Sequence, residues 1–218
     1  MKIITYPDRK EWPGLCARPF ASDKDIRSGV ADILNQVRQQ GDAALFELTR
    51  RFDGARLSSL SREVPETTEL APPLRAAIDM ARSNIEQFHR AQKRTEKAVE
   101  TQPGVLCWRR AVPVERVGLY IPGGSAPLFS TLLMLAVPAR LAGCREIVVC
   151  TPPNADGHIA PAILYTARIL GIKRLFTIGG AQAVAAMCYG TESVPRVDKI
   201  FGPGNRYVTL AKQMAQSA

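Results

Sequence analysis

Three glycine turns hold the residues best suited to chemistry in this chain. They read Pro122-Gly123-Gly124-Ser125, Gly179-Gly180-Ala181-Gln182 and Gly202-Pro203-Gly204-Asn205. Each follows a short apolar run and leads into a segment with helical patterning. Glycine lets backbone N–H groups come close to an anion, and a helix start adds partial positive charge. One such turn is an ordinary tight turn. Three along one sheet edge predict a site for an anionic ligand, with Pro122, Gly123, Gly180, Gly202 and Gly204 as a backbone cradle. Tyr120, Gln182 and Asn205 stand beside these turns and could orient the ligand. Tyr120 could stack or donate its hydroxyl, and the two amides lie in the first turns of their helices. Each also has a plainer reading: Tyr120 as a half-buried strand aromatic, Gln182 as a turn residue, Asn205 as a helix cap. The G-x-G-x-x-G dinucleotide pattern is absent, because Asn205, Arg206 and Tyr207 follow Gly204. No P-loop lysine motif occurs either. A nucleotide would therefore need a variant geometry.

The elements that must position these turns are legible from residue 115 onward. Strand-like and helix-like segments alternate: VERVGLYI, PLFSTLLMLAVPARLAG, REIVVC, APAILYTARILG, KRLFTI, AQAVAAMCYG, VDKIFG and NRYVTLAKQMAQ. Four such repeats predict a parallel sheet with crossover helices. The strands are continuous apolar runs, as expected where both faces are covered. Pro138 should kink or split the first of these helices.

Upstream the pattern is helical. Residues 1–21 carry Pro7, Pro13 and Pro19 and read as an arm. Ser22 suits the N-cap of a helix over 23–40, whose Ile26, Val30, Ile33, Leu34 and Val37 share one face. A second helix carries Leu45, Leu48 and Phe52 and stops at Asp53-Gly54. A third has a stripe of Leu74, Ile78, Ala81, Ile85 and Phe88, which reads as core. Residues 105–108 read as a strand. The fold class is α/β: a Rossmann-like parallel sheet with flanking helices over 115–218. It is preceded over 22–114 by the helical part of an incomplete second α/β domain.

Composition narrows the function classes. Hydrophobic residues make up 46% of the 218 positions and charged residues 22%, ordinary values for a soluble globular protein. No apolar run reaches membrane-spanning length, so no membrane role is expected. The opening MKIITYPDRKEW has no apolar signal region, which points to the cytoplasm. The five cysteines are widely spaced and form no C-x-x-C pair, unlike a disulfide scaffold or zinc finger. Net charge is +9, but the excess is spread over both halves of the chain. The densest run, HRAQKRTEK at 89–97, has only Phe88 beside it as an aromatic and reads as a solvated helix end. No nucleic-acid partner is expected. His89 and His158 read as a helix-surface and a loop residue. Asp156 lies near His158, but no further donors join them, so no metal site is assigned.

Several long segments resemble histidinol dehydrogenases: RVGLYIPGGSAPLFSTLLMLAVPARLAGC (116–144), TIGGAQAVAAMCYGT (177–191) and VDKIFGPGNRYVTLAK (197–212). NIEQFHRAQ (84–92) and ETQPGV (100–105) resemble them too, in the same order. The resemblance implies oxidation of L-histidinol to L-histidine through histidinaldehyde, with NAD as oxidant, at the end of histidine biosynthesis. It implies zinc-dependent homodimers with incomplete Rossmann-like domains. It also implies NAD contacts from the tyrosine, glutamine and asparagine that fall on Tyr120, Gln182 and Asn205.

In that family the zinc ligands, a catalytic glutamate–histidine pair and a substrate-binding serine lie in a later half. The resemblance therefore assigns this chain no catalytic or zinc-binding residue. It implies that these 218 residues alone are inactive. A different class of reading is a nucleotide-binding half-protein that works with a separate second half, or without catalysis.

Overall fold

The structure is a computed structural model that describes residues 3–17, 24–94, 96–124 and 126–216. Within the expected arm, a short exposed helix α1 (Trp12–Cys16) forms. The expected N-cap at Ser22 lies outside the described residues. Helices α2 (Lys24–Gln40) and α3 (Asp42–Asp53) follow, then strand β1 (Ser61–Glu63) and helix α4 (Pro72–Ala91). Strands β2 (Val99–Gln102) and β3 (Val105–Cys107) make a separate, exposed antiparallel hairpin. The alternating region gives β4 (Arg116–Tyr120), α5 (Phe129–Ala142), β5 (Glu146–Cys150), α6 (Pro161–Ile169), β6 (Arg174–Phe176), α7 (Gly180–Tyr189), β7 (Lys199–Phe201) and α8 (Arg206–Ala215).

The main sheet runs in the order β1-β6-β5-β4-β7. Strands β4 to β7 are parallel, while β1 joins β6 antiparallel at one edge. The chain winds outward from β4 through β5 to β6, then crosses back to place β7 on the other edge of β4. Strand order therefore reverses between β4 and β7.

Side-chain alternation along the strands feeds two cores, one on each face. Val117 and Leu119 of β4, Val149 of β5 and Leu175 of β6 pack with α4, α5 and α6. Tyr120, Val148, Cys150 and Phe176 point the other way, into a core shared with α2, α3, α7 and α8. Gly118 has no side chain because α7 lies against β4 there. A Cβ at that position would stand 2.6 Å from the Met187 sulfur.

The upstream helices are bound to the sheet from both sides. Stripes on α2 and α3 pack on α7 and α8, and the Tyr165 hydroxyl of α6 donates to Asp79 of α4 at 2.8 Å. Helix α3 is anchored at its start, where the Asp42 N–H donates to Glu192 at 2.8 Å and the Asp42 carboxylate accepts from Ser193. It ends at Gly54, which takes the left-handed conformation glycine favours.

Two sequence expectations are refined. Of the kink or split expected at Pro138, helix α5 shows no split and continues to Ala142. The proline removes the bond to the Met134 carbonyl. Met134 lies on the outer face, 53% exposed, where water can take that bond's place. Between α3 and α4, β1 has only three residues, too few to display a periodicity. The strand at 105–108 gains a partner in β2, a polar segment whose order comes from pairing and not from burial.

The packing of α5 generates one prediction. Leu133 is fully buried between sheet and helices. Leu133→Ala should lower the unfolding free energy by about 3 kcal/mol. Urea unfolding of the two proteins checks this, and a loss below about 1 kcal/mol would show that the site collapses around the smaller residue.

Candidate functional site

The carboxyl ends of the parallel strands open into a cleft of about 860 Å³. All three glycine turns reach it. Strand β4 contributes Tyr120, Pro122, Gly123 and Gly124 to its lining. The turn before α7 contributes Gly180, Ala181 and Gln182, and the turn before α8 contributes Pro203, Gly204 and Asn205. Seven of the eight residues singled out from the sequence thus meet around one space. The eighth, Gly202, is not among the lining residues and abuts the Tyr120 backbone. Ser125 of the first turn lies outside the described residues.

Several glycines answer to close packing. Gly202 has φ +132°, and a Cβ there would fall 2.1 Å from the Tyr120 carbonyl oxygen. No other residue type can bring β7 onto β4 this way. Gly123 and Gly179 both abut Pro152, each with 2.6 Å between a hypothetical Cβ and the proline ring. The Lys212 ammonium donates to the Gly202 carbonyl at 2.7 Å and pins the last turn from behind.

The polar side chains divide into used and unused groups. Tyr120 is 4% exposed. Its hydroxyl accepts the Gly180 N–H at 3.0 Å, so that N–H is taken by the protein. Burial holds the Tyr120 phenol above its ordinary value, so the hydroxyl keeps its proton and can donate it in a further bond. Asn205 caps α8, its side-chain oxygen accepting the Val208 N–H at 3.1 Å. Its side-chain NH2 takes no part in that cap. Gln182 is 1% exposed, and its Nε2 has no hydrogen-bond partner. An amide N–H left dry and unpaired costs about 1–3 kcal/mol. Gln182 is at the same time one of the residues that line the cleft.

Sequence reasoning missed Asp53, which lines the cleft with Phe52 and Ile33. Its carboxyl is half buried, and Oδ2 has no partner. Desolvation raises its pKa from 3.8 to about 6. In the sequence, Asp53-Gly54 reads as a helix stop, and nothing local signals that α3 ends beside three turns more than 60 residues away. Pro152 and Pro153 were missed as well, being part of the one strand end without a glycine turn.

His89 lies on α4 beside Gln92, and His158 in an exposed loop where its N–H donates to Asn154. Among the described residues, no three His, Cys, Asp or Glu side chains gather as a metal would require. No described helix is long and apolar enough to cross a membrane.

A parallel sheet wound both ways from a central strand, with a cleft at the reversal, defines a doubly wound α/β protein. Ligands of that class sit where this cleft lies. A family model described as histidinol dehydrogenase matches residues 16–218, and the chain belongs to that family. It is 53% identical to a histidinol dehydrogenase of Bacteroides fragilis over 98% of this chain and 51% of the relative. It is 56% identical to one from Xanthomonas euvesicatoria over 88% of this chain and 46% of the relative. The crystal structure of histidinol dehydrogenase from Elizabethkingia anophelis superimposes with a TM-score of 0.90 at 49% identity, covering 97% of this chain and 50% of that one. The chain spans about half the length of the curated relatives it matches.

Two outcomes follow from the site's geometry. Gly202→Ala should lower stability by more than about 2 kcal/mol, because it combines positive φ with overlap on backbone. Thermal unfolding checks this, and an unchanged midpoint would mean that β7 can move off β4 at no cost. Asp53 has a folded pKa above its unfolded value, so its relative stabilisation is complete below pH 3.8 and is lost as pH rises through about 6. A shift of this size corresponds to about 3 kcal/mol, which partial exposure reduces to about 1 kcal/mol. The stability of Asp53→Asn relative to the parent should therefore rise by about 1 kcal/mol as pH goes from acid to neutral. A flat difference across that window would contradict the assignment.

Proposed function

We propose that this chain supplies the NAD cleft for the oxidation of L-histidinol to L-histidine through the aldehyde. The observation that carries the proposal is Gln182 Nε2: buried, unpartnered, and beside a cleft at the strand-order reversal. The cleft's volume lies within the range of small-molecule and cofactor sites. Its lining suits a dinucleotide, with prolines and Phe52 for flat apolar parts and uncharged polar groups for orientation. When bound, NAD supplies the hydride acceptor.

The residues of this chain bind and orient. Gln182 Nε2 donates to an acceptor on the cofactor and loses its unpaired state in doing so. Tyr120, fixed by the Gly180 N–H, presents its proton from a single position. Asn205 holds the start of α8 and offers its NH2 group beside Gly204. The names of the relatives support the substrate, and the resemblance supports a homodimer in the complete enzyme. The described residues provide no converging donor set, so we assign no metal ligand and no step through a metal to this chain. The division into a helical part over 22–114 and an NAD-binding part over 115–218 belongs to the same proposal.

Isothermal titration of NAD into the purified chain tests the reading. Saturable binding is expected, and Gln182→Leu should weaken it about tenfold, the worth of one hydrogen bond to a buried amide. The same substitution should change unfolding free energy by no more than about 1 kcal/mol, because it also removes an unpaired polar group. Absence of binding by the parent chain, or equal affinity in the variant, would refute the proposal.

A further inference from the structure

Asp53 is the one charged residue among the described residues that line the cleft. The cofactor contacts proposed above give it no part. Two helix ends meet at it, the C-terminus of α3 and, at Gly179, the N-terminus of α7. It is the last residue of α3, where the helix dipole is negative, and no lysine or arginine is among the described lining residues. Oδ2 has no partner, while Oδ1 faces Gly179, whose hypothetical Cβ would be 3.2 Å away. The ring of Pro152 stands 2.6 Å from the same point, so carboxyl and proline share one corner of the cleft. Phe52 and Ile33 extend the apolar surface beside them.

This corner repels phosphate and suits a sugar hydroxyl. An ionised carboxylate only accepts hydrogen bonds, and its two oxygens match the two hydroxyls of a ribose. The apolar surfaces beside it fit the base that a ribose carries. Asp53 already stands at the start of α7, so the phosphates of a dinucleotide belong away from it, near the start of α8, whose first residue is Arg206. Resting on the cofactor reading above, we infer that Asp53 accepts a hydroxyl of the adenosine ribose and excludes a cofactor phosphorylated there. The unpartnered oxygen then gains a donor, and a second negative charge is kept out of the corner. Asp53 is thus a specificity-determining residue that separates NAD from its 2′-phosphorylated form.

The test is titration of NAD and NADP into the parent chain, Asp53→Asn and Asp53→Glu at pH 8, with circular dichroism to confirm folding. The parent should favour NAD by roughly 100-fold, the scale of placing like charges together in a partly dry site. Asp53→Asn should bind NAD about fivefold more weakly, through loss of a charge-assisted acceptor. It should also narrow the preference at least tenfold by admitting NADP, while Asp53→Glu keeps the preference. Asp53→Ser serves the same purpose if the amide variant does not fold. A parent chain that binds both dinucleotides equally overturns the inference. So does an Asp53→Asn protein that keeps the full preference, and in that case the Gln182 result still stands. A parent chain that binds neither dinucleotide overturns the cofactor reading and this inference with it.

Discussion

The carbonyl oxygen of Tyr120 occupies the space where a side chain on residue 202 would have to go. That contact is the condition for the rest of the site. Because residue 202 is glycine, β7 can end tightly against β4, and the chain can pair both edges of β4 with strands arriving from opposite directions of winding. Without the second pairing there is no reversal of strand order, and without the reversal the strand ends do not part into a cleft. The Lys212 ammonium on the Gly202 carbonyl then holds α8 to the end of β7, and the Gly180 N–H on the Tyr120 hydroxyl holds α7 to the end of β4. Backbone proximity comes first, and the polar contacts are built on it.

Two of the groups that line the cleft are left without the partners their burial calls for. Gln182 keeps an unpaired N–H in a dry position, and Asp53 keeps a carboxyl whose ionisation is opposed by burial. Each is unfavourable to folding by an amount comparable to one good hydrogen bond. The surrounding core over-determines their positions. Gln182 sits in a helix whose residues 181–187 are all buried, and α3 is anchored at its far end through Asp42. Such local conflict between stability and placement is characteristic of binding sites.

Legibility in the sequence followed the range of the interactions. The alternation from residue 115 onward could be read because each strand and helix carries its own periodicity, and both faces of the sheet are covered by apolar side chains. The three glycine turns could be read because glycine is locally conspicuous. Their reason could not. Gly123 and Gly179 look like anion-binding positions, yet both fit against Pro152, a residue distant in sequence from either. Asp53 was hidden for the same reason: its own neighbours describe a helix end, and only the docking of α3 on α7 brings it to the cleft. Strand β1 was hidden because three residues at a sheet edge take their conformation from Arg174–Phe176 and not from any pattern of their own.

The seating of Pro152 between two glycines has a thermodynamic consequence. A proline ring flanked by residues without side chains forms a floor that has almost no rotamers to lose. A molecule settling on it would freeze little that was previously moving, so most of its contact energy would be retained as affinity. The stiffness of that floor is set when the chain folds, before any guest arrives.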